Sequence, residues 1–324
     1  MSPITIVSWL SRIAFAALLA FGSEIVLWNT PQRRSALDVL LLIAGYLAVA
    51  TLVLDFVVRY SLRSFFGVLL LGGIYGLVNA LTLNPHTMLV DGAPNVAARA
   101  LGGHTLNGIA IFAFVFWIAG YGRGWWTMPA AVIAGIVCGL LTDAPFSMPD
   151  TSGHIFALMV GTVVTLSLGN LVLRAVLRTS VEPGWVESLR LGDIEITLVV
   201  ASLAGLAAFR FSRGEGITWL WIFALVLLAL CWATLWFGKR DKPVHYLLLL
   251  NNVRLRPSFT VNAATSLFLL TTIAVSWLPR DINGVDVPLV LRTAFTAVGL
   301  VWLPTLALVL GGRAILREVR ALRL

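Results

Sequence analysis

Ionisable side chains lie inside or beside apolar stretches of this chain, where their cost in a bilayer makes each one a candidate for function. Glu24 follows Gly22 and Ser23, and no basic residue lies within four positions of it. Three further candidates fall at the ends of other apolar runs: His104, Asp143 and His154. Carboxylate and imidazole groups on one membrane face can exchange protons with a substrate. We therefore predict Glu24, His104, His154 and Asp143 as catalytic residues.

The spacing of these residues does not indicate a metal centre. Fifty residues separate His104 from His154, and neither H-E-x-x-H nor H-x-x-x-H occurs in the sequence. Gly102 and Gly103 favour a tight turn before His104. We predict no metal and leave any cofactor open. A structural carboxylate, hydrogen-bonded to a neighbouring helix, is the alternative interpretation of Glu24.

Other catalytic signatures are missing from the sequence. There is no phosphate-binding glycine-rich loop and no G-x-S-x-G, so ATP-driven chemistry within this chain is not expected. Cys138 and Cys231 each lie in an apolar run, as small core residues do. The connection of residues 84–103 is long enough to be either a solvated connector or a binding loop.

The elements that must position these residues are membrane spans. Hydrophobic residues make up 59% of the 324 residues and charged residues only 12%, which excludes an ordinary soluble domain. The composition predicts an all-α, polytopic protein with residues 1–324 as one transmembrane domain. Ten apolar runs approach the length that crosses a bilayer: Ile13–Trp28, Val39–Val58, Phe65–Leu83, Leu101–Ala119, Trp125–Leu141, Ile155–Leu173, Ile194–Phe209, Ile217–Phe237, Val261–Leu278 and Leu289–Leu310.

The distribution of positive charge predicts how the spans are oriented in the membrane. The net charge is +8, and 16 of the 23 Lys and Arg residues fall on one side, 6 on the other and one, Arg292, inside the tenth run. The positive-inside rule then places both termini in the cytoplasm. Glu24, His104, His154 and Asp143 fall on the outer side. Because the cations are distributed among connections instead of one patch, we expect no nucleic acid partner.

Several local features are given structural interpretations. Gly72 with Gly76, and Gly135 with Gly139, predict close helix packing in lipid. Asp55 lies one turn before Arg59, which predicts a local ion pair. The segments 182–193 and 239–256 have patterns typical of short helices at the membrane interface.

Three functions are compatible with this architecture. A transporter or permease for a small or lipid-like substrate is favoured by ten spans with little soluble mass. A membrane enzyme acting on a lipid or lipid-linked substrate at the outer face is favoured by the sidedness of the histidines. A non-catalytic subunit of a membrane complex is the third alternative. We expect location in the cell membrane, specifically an inner membrane, contact with membrane lipids, and either partner subunits or self-association.

Overall fold

Ten helices dominate the part of the chain that the computed structural model describes. That part consists of residues 3–27, 35–120, 126–141, 167, 169–172, 174–175, 185–238, 245–251, 257–278, 281–282 and 285–321. The helices are α1 (Pro3–Ala20), α2 (Ala36–Arg59), α3 (Phe65–Thr82), α4 (His104–Ile118), α5 (Thr127–Leu141), α6 (Asp193–Ser212), α7 (Thr218–Gly238), α8 (Ser258–Ser276), α9 (Val287–Ala297) and α10 (Leu303–Ala321).

Shorter elements join or extend these helices. Three π-helical turns do so: Phe21–Leu27 after α1, Val96–Gly103 before α4, and Val298–Trp302 between α9 and α10. The short helices Pro85–Met88 and Ala93–Asn95 follow α3, and 3₁₀ turns span Glu187–Leu189 and Tyr246–Asn251. Two strands of two residues each, β1 (Asp281–Ile282) and β2 (Val285–Asp286), pair antiparallel before α9.

Within the described residues, seven helices are long and apolar enough to cross a membrane. They are Thr5–Glu24, Ala36–Arg59, Phe65–Thr82, Ala93–Ile118, Asp193–Ser212, Thr218–Gly238 and Ser258–Ser276. Two shorter apolar helices, Thr127–Leu140 and Leu289–Leu300, coincide with the fifth and tenth predicted spans. Most of the sixth predicted span lies outside the described residues. The all-helical fold with several membrane-length helices is thus confirmed, and the count of ten stays a prediction.

Serine caps begin α2 and α3. The Ser35 hydroxyl accepts a hydrogen bond from the Asp38 backbone N–H at the start of α2, and the Ser64 hydroxyl accepts one from Gly67 at the start of α3. Such caps satisfy backbone donors that a helix leaves unpaired. The sequence positions of these serines therefore fix where α2 and α3 start.

Glycines let α3 approach its neighbours closely. A Cβ atom on Gly76 would lie 1.9 Å from the backbone oxygen of Ala100, and one on Gly72 would lie 2.9 Å from that of Thr105. Gly135 and Gly139 of α5 pack in the same way against α8. The predicted packing role of both glycine pairs is confirmed. As a result, the turn that precedes His104 lies directly against α3.

Polar side chains gather at the two ends of the bundle. At the first end, Asp55 is fully buried and its carboxylate pairs with Arg59 at 2.7 Å, as predicted. The carboxylate also accepts the Leu191 backbone N–H, while Arg59 donates to the Leu191 carbonyl. Arg12 donates to the carbonyls of Ser188 and Leu189. These bonds hold the segment Trp185–Leu191 against the bundle.

An ion-pair network occupies the opposite end. The Asp38 carboxylate pairs with Arg210 at 3.0 Å and with Arg213 at 2.9 Å. Glu215 pairs with both arginines, and its other oxygen lies 3.6 Å from Nδ1 of His86. The network joins the start of α2 to the loop between α6 and α7.

Candidate functional site

A π-helical turn carries the first two polar residues of the site. Phe21–Leu27 continues α1 with a wider backbone turn, and Ser23 and Glu24 lie in it. Turns of this kind are rare within α-helices and are frequent at functional sites, because the extra residue redirects side chains. Ser23 is fully buried and Glu24 is half-buried. Both side chains therefore lie inside the helical bundle.

His104 enters the site through a second π-helical turn. Val96–Gly103 precedes it, and Gly76 of α3 lets this turn approach because a Cβ there would overlap Ala100. The imidazole is fully buried and packs against the Tyr75 ring, with 5.6 Å between the ring centroids. Its Nδ1 atom lies 2.7 Å from the Arg99 backbone carbonyl.

The bond to Arg99 determines what the other ring nitrogen can do. A carbonyl oxygen only accepts hydrogen bonds, so Nδ1 must donate. In the neutral imidazole, Nε2 is then the acceptor, and it lies 2.9 Å from the Ser23 hydroxyl oxygen. The Ser23 hydroxyl therefore donates to His104. A hydroxyl, a histidine and a third group that orients the histidine form the arrangement that activates a nucleophile.

Side chains from two other parts of the chain donate hydrogen bonds to Glu24. The Tyr46 hydroxyl of α2 donates to Oε1, and Asn84 Nδ2 donates to the same oxygen at 2.8 Å. Asn79 of α3 donates to the Tyr46 hydroxyl at 3.1 Å and to the Ser23 hydroxyl at 3.4 Å. Asn84 Nδ2 also donates to the side-chain oxygen Oδ1 of Asn79 at 2.9 Å. A continuous network thus links the carboxylate to the hydroxyl that His104 contacts.

We name this network the Ser23–His104 cluster. It consists of Ser23, Glu24, Tyr46, Asn79, Asn84 and His104. Tyr46 lies ten residues into α2, about 15 Å along the helix from its start. The cluster therefore lies at hydrocarbon depth if α2 spans the membrane. Polar groups are expensive there unless paired, and these are paired with each other.

A large apolar cleft begins beside the cluster. It has a volume of about 870 Å³ and is bounded by α4, α5, α8 and the turn Phe21–Leu27. Gly22, Gly103 and Asn107 line its near end, and Trp117 and Trp126 line its far end. Gly103 and Trp117 are about 21 Å apart along the helix, so the cleft follows most of α4. Its described lining residues include no charged side chain.

The predicted residues have different outcomes. Glu24 and His104 are brought to the same Ser23 hydroxyl, at 3.4 Å and 2.9 Å respectively. His154 and Asp143 lie outside the described residues. Another histidine, His86, is not part of the cluster and lies beside Glu215 in the Asp38 network. In the described part of the chain, no group of three or more His, Cys, Asp or Glu residues could hold a metal ion.

The fold and cluster define a class, an all-helical protein with membrane-length helices and a buried polar network. No protein-family model, curated protein or solved structure matches the chain.

Proposed function

We propose that the chain is a membrane-embedded enzyme acting on a lipid or lipid-linked substrate. The observation that carries this proposal is the Ser23–His104 hydrogen bond, oriented by the Arg99 carbonyl, at the end of an apolar cleft. Buried polar groups that converge beside a mainly apolar pocket are the usual arrangement of a binding or catalytic site. Ser23 is the nucleophile and His104 the general base.

His104 is arranged to accept the Ser23 proton. Its Nε2 lone pair faces the hydroxyl, and the bond from Nδ1 to the Arg99 carbonyl holds the ring in that orientation. As the Ser23 oxygen attacks an electrophilic centre, its proton passes to Nε2 and an imidazolium forms. Return of that proton to the leaving group restores the neutral ring.

Glu24 supplies negative charge near the imidazolium. Both side chains contact the Ser23 hydroxyl, and Tyr46 and Asn84 hold the carboxylate in place. In a medium of low dielectric constant, a nearby carboxylate favours the cationic imidazolium strongly. Glu24 therefore stabilises the charge that develops during proton transfer.

The cleft gives the substrate a route from the bilayer. Leu106 and Trp126 line it and are 37% and 55% exposed, so the cleft reaches the surface that lipid would cover. Its apolar walls suit a hydrocarbon tail. The transporter hypothesis gains less support, because the described lining is apolar where a polar cargo would need polar partners.

The membrane topology is part of this proposal. We propose ten spans with both termini in the cytoplasm of a cell membrane, so that the cluster lies toward the outer half. The two polar ends support it. Arg12 and Arg59, assigned to the cytoplasm by the charge sums, both contact the segment Trp185–Leu191. Arg210 and Arg213, assigned to the outer side, both bind Asp38.

Lipid turnover by the reconstituted full chain tests the proposal. The protein is placed in vesicles of total lipid extract, and lipid species are followed by mass spectrometry. We expect Ser23→Ala and His104→Gln each to lower turnover at least about 100-fold. The first variant lacks the nucleophile and the second lacks the general base.

Ser8→Ala is the matched control. Ser8 is a buried serine in α1, the helix that the turn with Ser23 continues, and its hydroxyl donates to the Ser188 carbonyl instead. Its loss should therefore leave turnover unchanged. Equal turnover by wild type and Ser23→Ala would contradict the proposal that the chain is an enzyme with Ser23 as its nucleophile. Movement of chemically unaltered lipid between the leaflets would instead support the transporter hypothesis.

A further inference from the structure

We infer that the substrate is a long-chain acyl ester and that the Asn107 amide binds its ester carbonyl. This inference rests on the proposed function, because it assigns the substrate class to the same cleft and cluster. Three observations carry it: an unsatisfied amide donor, its place beside Ser23, and the apolar path that leads away from it.

Asn107 presents a buried amide with two N–H groups, of which the neighbouring Tyr75 hydroxyl can engage at most one. It lies one turn after His104 on α4 and lines the cleft. Its Nδ2 atom is buried, and at least one of the two N–H groups has no hydrogen-bond partner. Leaving a buried donor unpaired costs free energy, so such atoms in native structures call for an explanation. An acceptor oxygen on a ligand in the cleft would satisfy it.

Several other polar groups along the cleft are already engaged. The Thr265 hydroxyl donates to the Val261 carbonyl at 2.9 Å. Thr127 and Trp126 also have interactions of their own. At the near end of the cleft, the Asn107 amide nitrogen is thus the buried side-chain donor that a ligand could engage. The ligand therefore needs an acceptor at this end of the cleft.

The position of Asn107 places that acceptor near the nucleophile. A Cβ atom on Gly22 would lie 2.1 Å from Asn107 Oδ1 and 2.4 Å from its Nδ2, so the amide rests directly on the backbone that precedes Ser23. A carbonyl bound to Nδ2 would lie next to the residue that bears the hydroxyl. An ester carbonyl is both the acceptor and the electrophile, which makes one group serve both requirements.

The tail of the ligand follows α4 away from the cluster. Alanines on α4 and α5 widen the cleft over its length: Ala110, Ala113, Ala130, Ala131 and Ala134. Phe114 and Trp117 lie further along toward the far end. A path of about 21 Å with apolar walls accommodates an extended hydrocarbon chain.

The resulting step is an acyl transfer through Ser23. The Ser23 oxygen forms a bond to the ester carbonyl carbon while its proton passes to His104 Nε2. The carbon–oxygen bond to the alcohol breaks, and the alcohol leaves with that proton. Water then attacks the acyl group on Ser23, its proton passing to His104 and on to the Ser23 oxygen, which releases a fatty acid.

Ligand binding, measured apart from turnover, tests the inference. The full chain with Ser23→Ala, which retains the ester, is titrated in detergent with methyl palmitate and with the ether of equal chain length that lacks the carbonyl. Native mass spectrometry gives both dissociation constants. We expect the ester to bind about tenfold more tightly than the ether, the usual effect of one well-placed hydrogen bond.

Replacing the amide should abolish this preference. In the same background, Asn107→Leu conserves volume and removes the donor, and Asn107→Ala does so if the leucine variant does not fold; we expect equal affinities for both ligands. Thr265→Val, in the same cleft, should keep the tenfold ratio.

Two results would overturn the inference: a tenfold ratio that survives loss of Asn107, or equal affinities while Asn107 is present. The test is separable from the proposed function. Absence of turnover in wild type together with an Asn107-dependent ratio would reject the enzyme and retain the ester site.

Discussion

The Ser23 hydroxyl oxygen lies 2.9 Å from Nε2 of His104, although 81 residues separate them in sequence. Each residue depends on a π-helical turn, one that contains Ser23 and one that ends just before His104. The wider turns redirect the two side chains toward each other between α1 and α4. The packing that sustains this contact is the first property to test.

Adding one methyl group to Gly76 should displace His104. The new Cβ in Gly76→Ala would lie 1.9 Å from the Ala100 oxygen and 3.0 Å from His104 Cβ. We expect a loss of about 1–3 kcal/mol in the free energy of unfolding, as for other overpacked cores, together with reduced turnover. Thermal unfolding in detergent measures the first effect.

Gly205→Ala is the control for that variant. Gly205 also lies within a helix, α6, but a Cβ there has no atom within 4 Å. Alanine should leave stability unchanged or raise it by up to about 1 kcal/mol. Equal stability of the two variants would contradict the close approach at Gly76.

Removing Asp55 should release the segment that it holds. Its carboxylate is fully buried and binds both Arg59 and the Leu191 N–H. Asp55→Ala leaves the guanidinium without its partner, at a cost of about 3 kcal/mol, because Arg59 is only 16% exposed. Cleavage by trypsin at the exposed Arg190 should then become faster than in wild type.

The double variant Asp55→Ala/Arg59→Met separates charge from packing. Removing both charges avoids the unpaired cation, so its stability should return toward wild type. If the double variant is as unstable as the sum of both single losses, the ion pair is not the cause.

The stability of the chain should fall as the pH is lowered through the titration of His245. This side chain is buried, and burial lowers its pKa below the ordinary value of 6.5, although Glu187 at 3.5 Å opposes the shift. The unfolded chain therefore binds a proton at a higher pH than the folded chain. Stability is full above about pH 6.5 and declines below it, down to the folded pKa.

His245→Gln should weaken this dependence. Melting temperatures of wild type and variant are compared between pH 8 and pH 5 in one detergent. The wild type should lose more on acidification than the variant. Parallel curves would show that other groups, such as Glu187, dominate the acid response.

Cysteine labelling tests the orientation inferred from charge. Cys138 and Cys231 are buried, so background labelling is low. Ser212→Cys at the end of α6 should react with an impermeant maleimide added to intact cells. Arg190→Cys, exposed at the opposite end, should react only after the membrane is opened. The reverse pattern would invert the topology.

The positions of the seven membrane-length helices were predictable from the sequence, because run length and hydropathy define such helices. The predicted run Ile194–Phe209 corresponds to the observed helix Asp193–Ser212. The last run, Leu289–Leu310, is interrupted by the π-helical turn Val298–Trp302. Gly299, which lies in this turn, packs against the backbone of Ala97. Pro304 follows two residues after the turn ends. Proline removes a backbone donor and crowds the preceding turn, which run length alone does not show.

The candidate site was predictable only in part. Glu24 and His104 were found because ionisable groups in lipid are conspicuous. Ser23, Asn79 and Asn84 are neutral, so a sequence scan for charge passes over them. Their importance arises from contacts across 56 and 60 residues, namely Asn79 to Ser23 and Asn84 to Glu24. Such contacts depend on which helices become neighbours.

A covalent adduct on Ser23 tests the central claim most directly. A hexadecyl fluorophosphonate has an apolar chain for the cleft and a phosphorus that a serine oxygen attacks, with loss of fluoride. We predict one adduct on the wild-type chain, located by peptide mass spectrometry at Ser23, and none on the His104→Gln variant at equal folding. A folded wild-type chain without adduct, or equal labelling of the variant, would contradict the pairing of Ser23 with His104 as nucleophile and base.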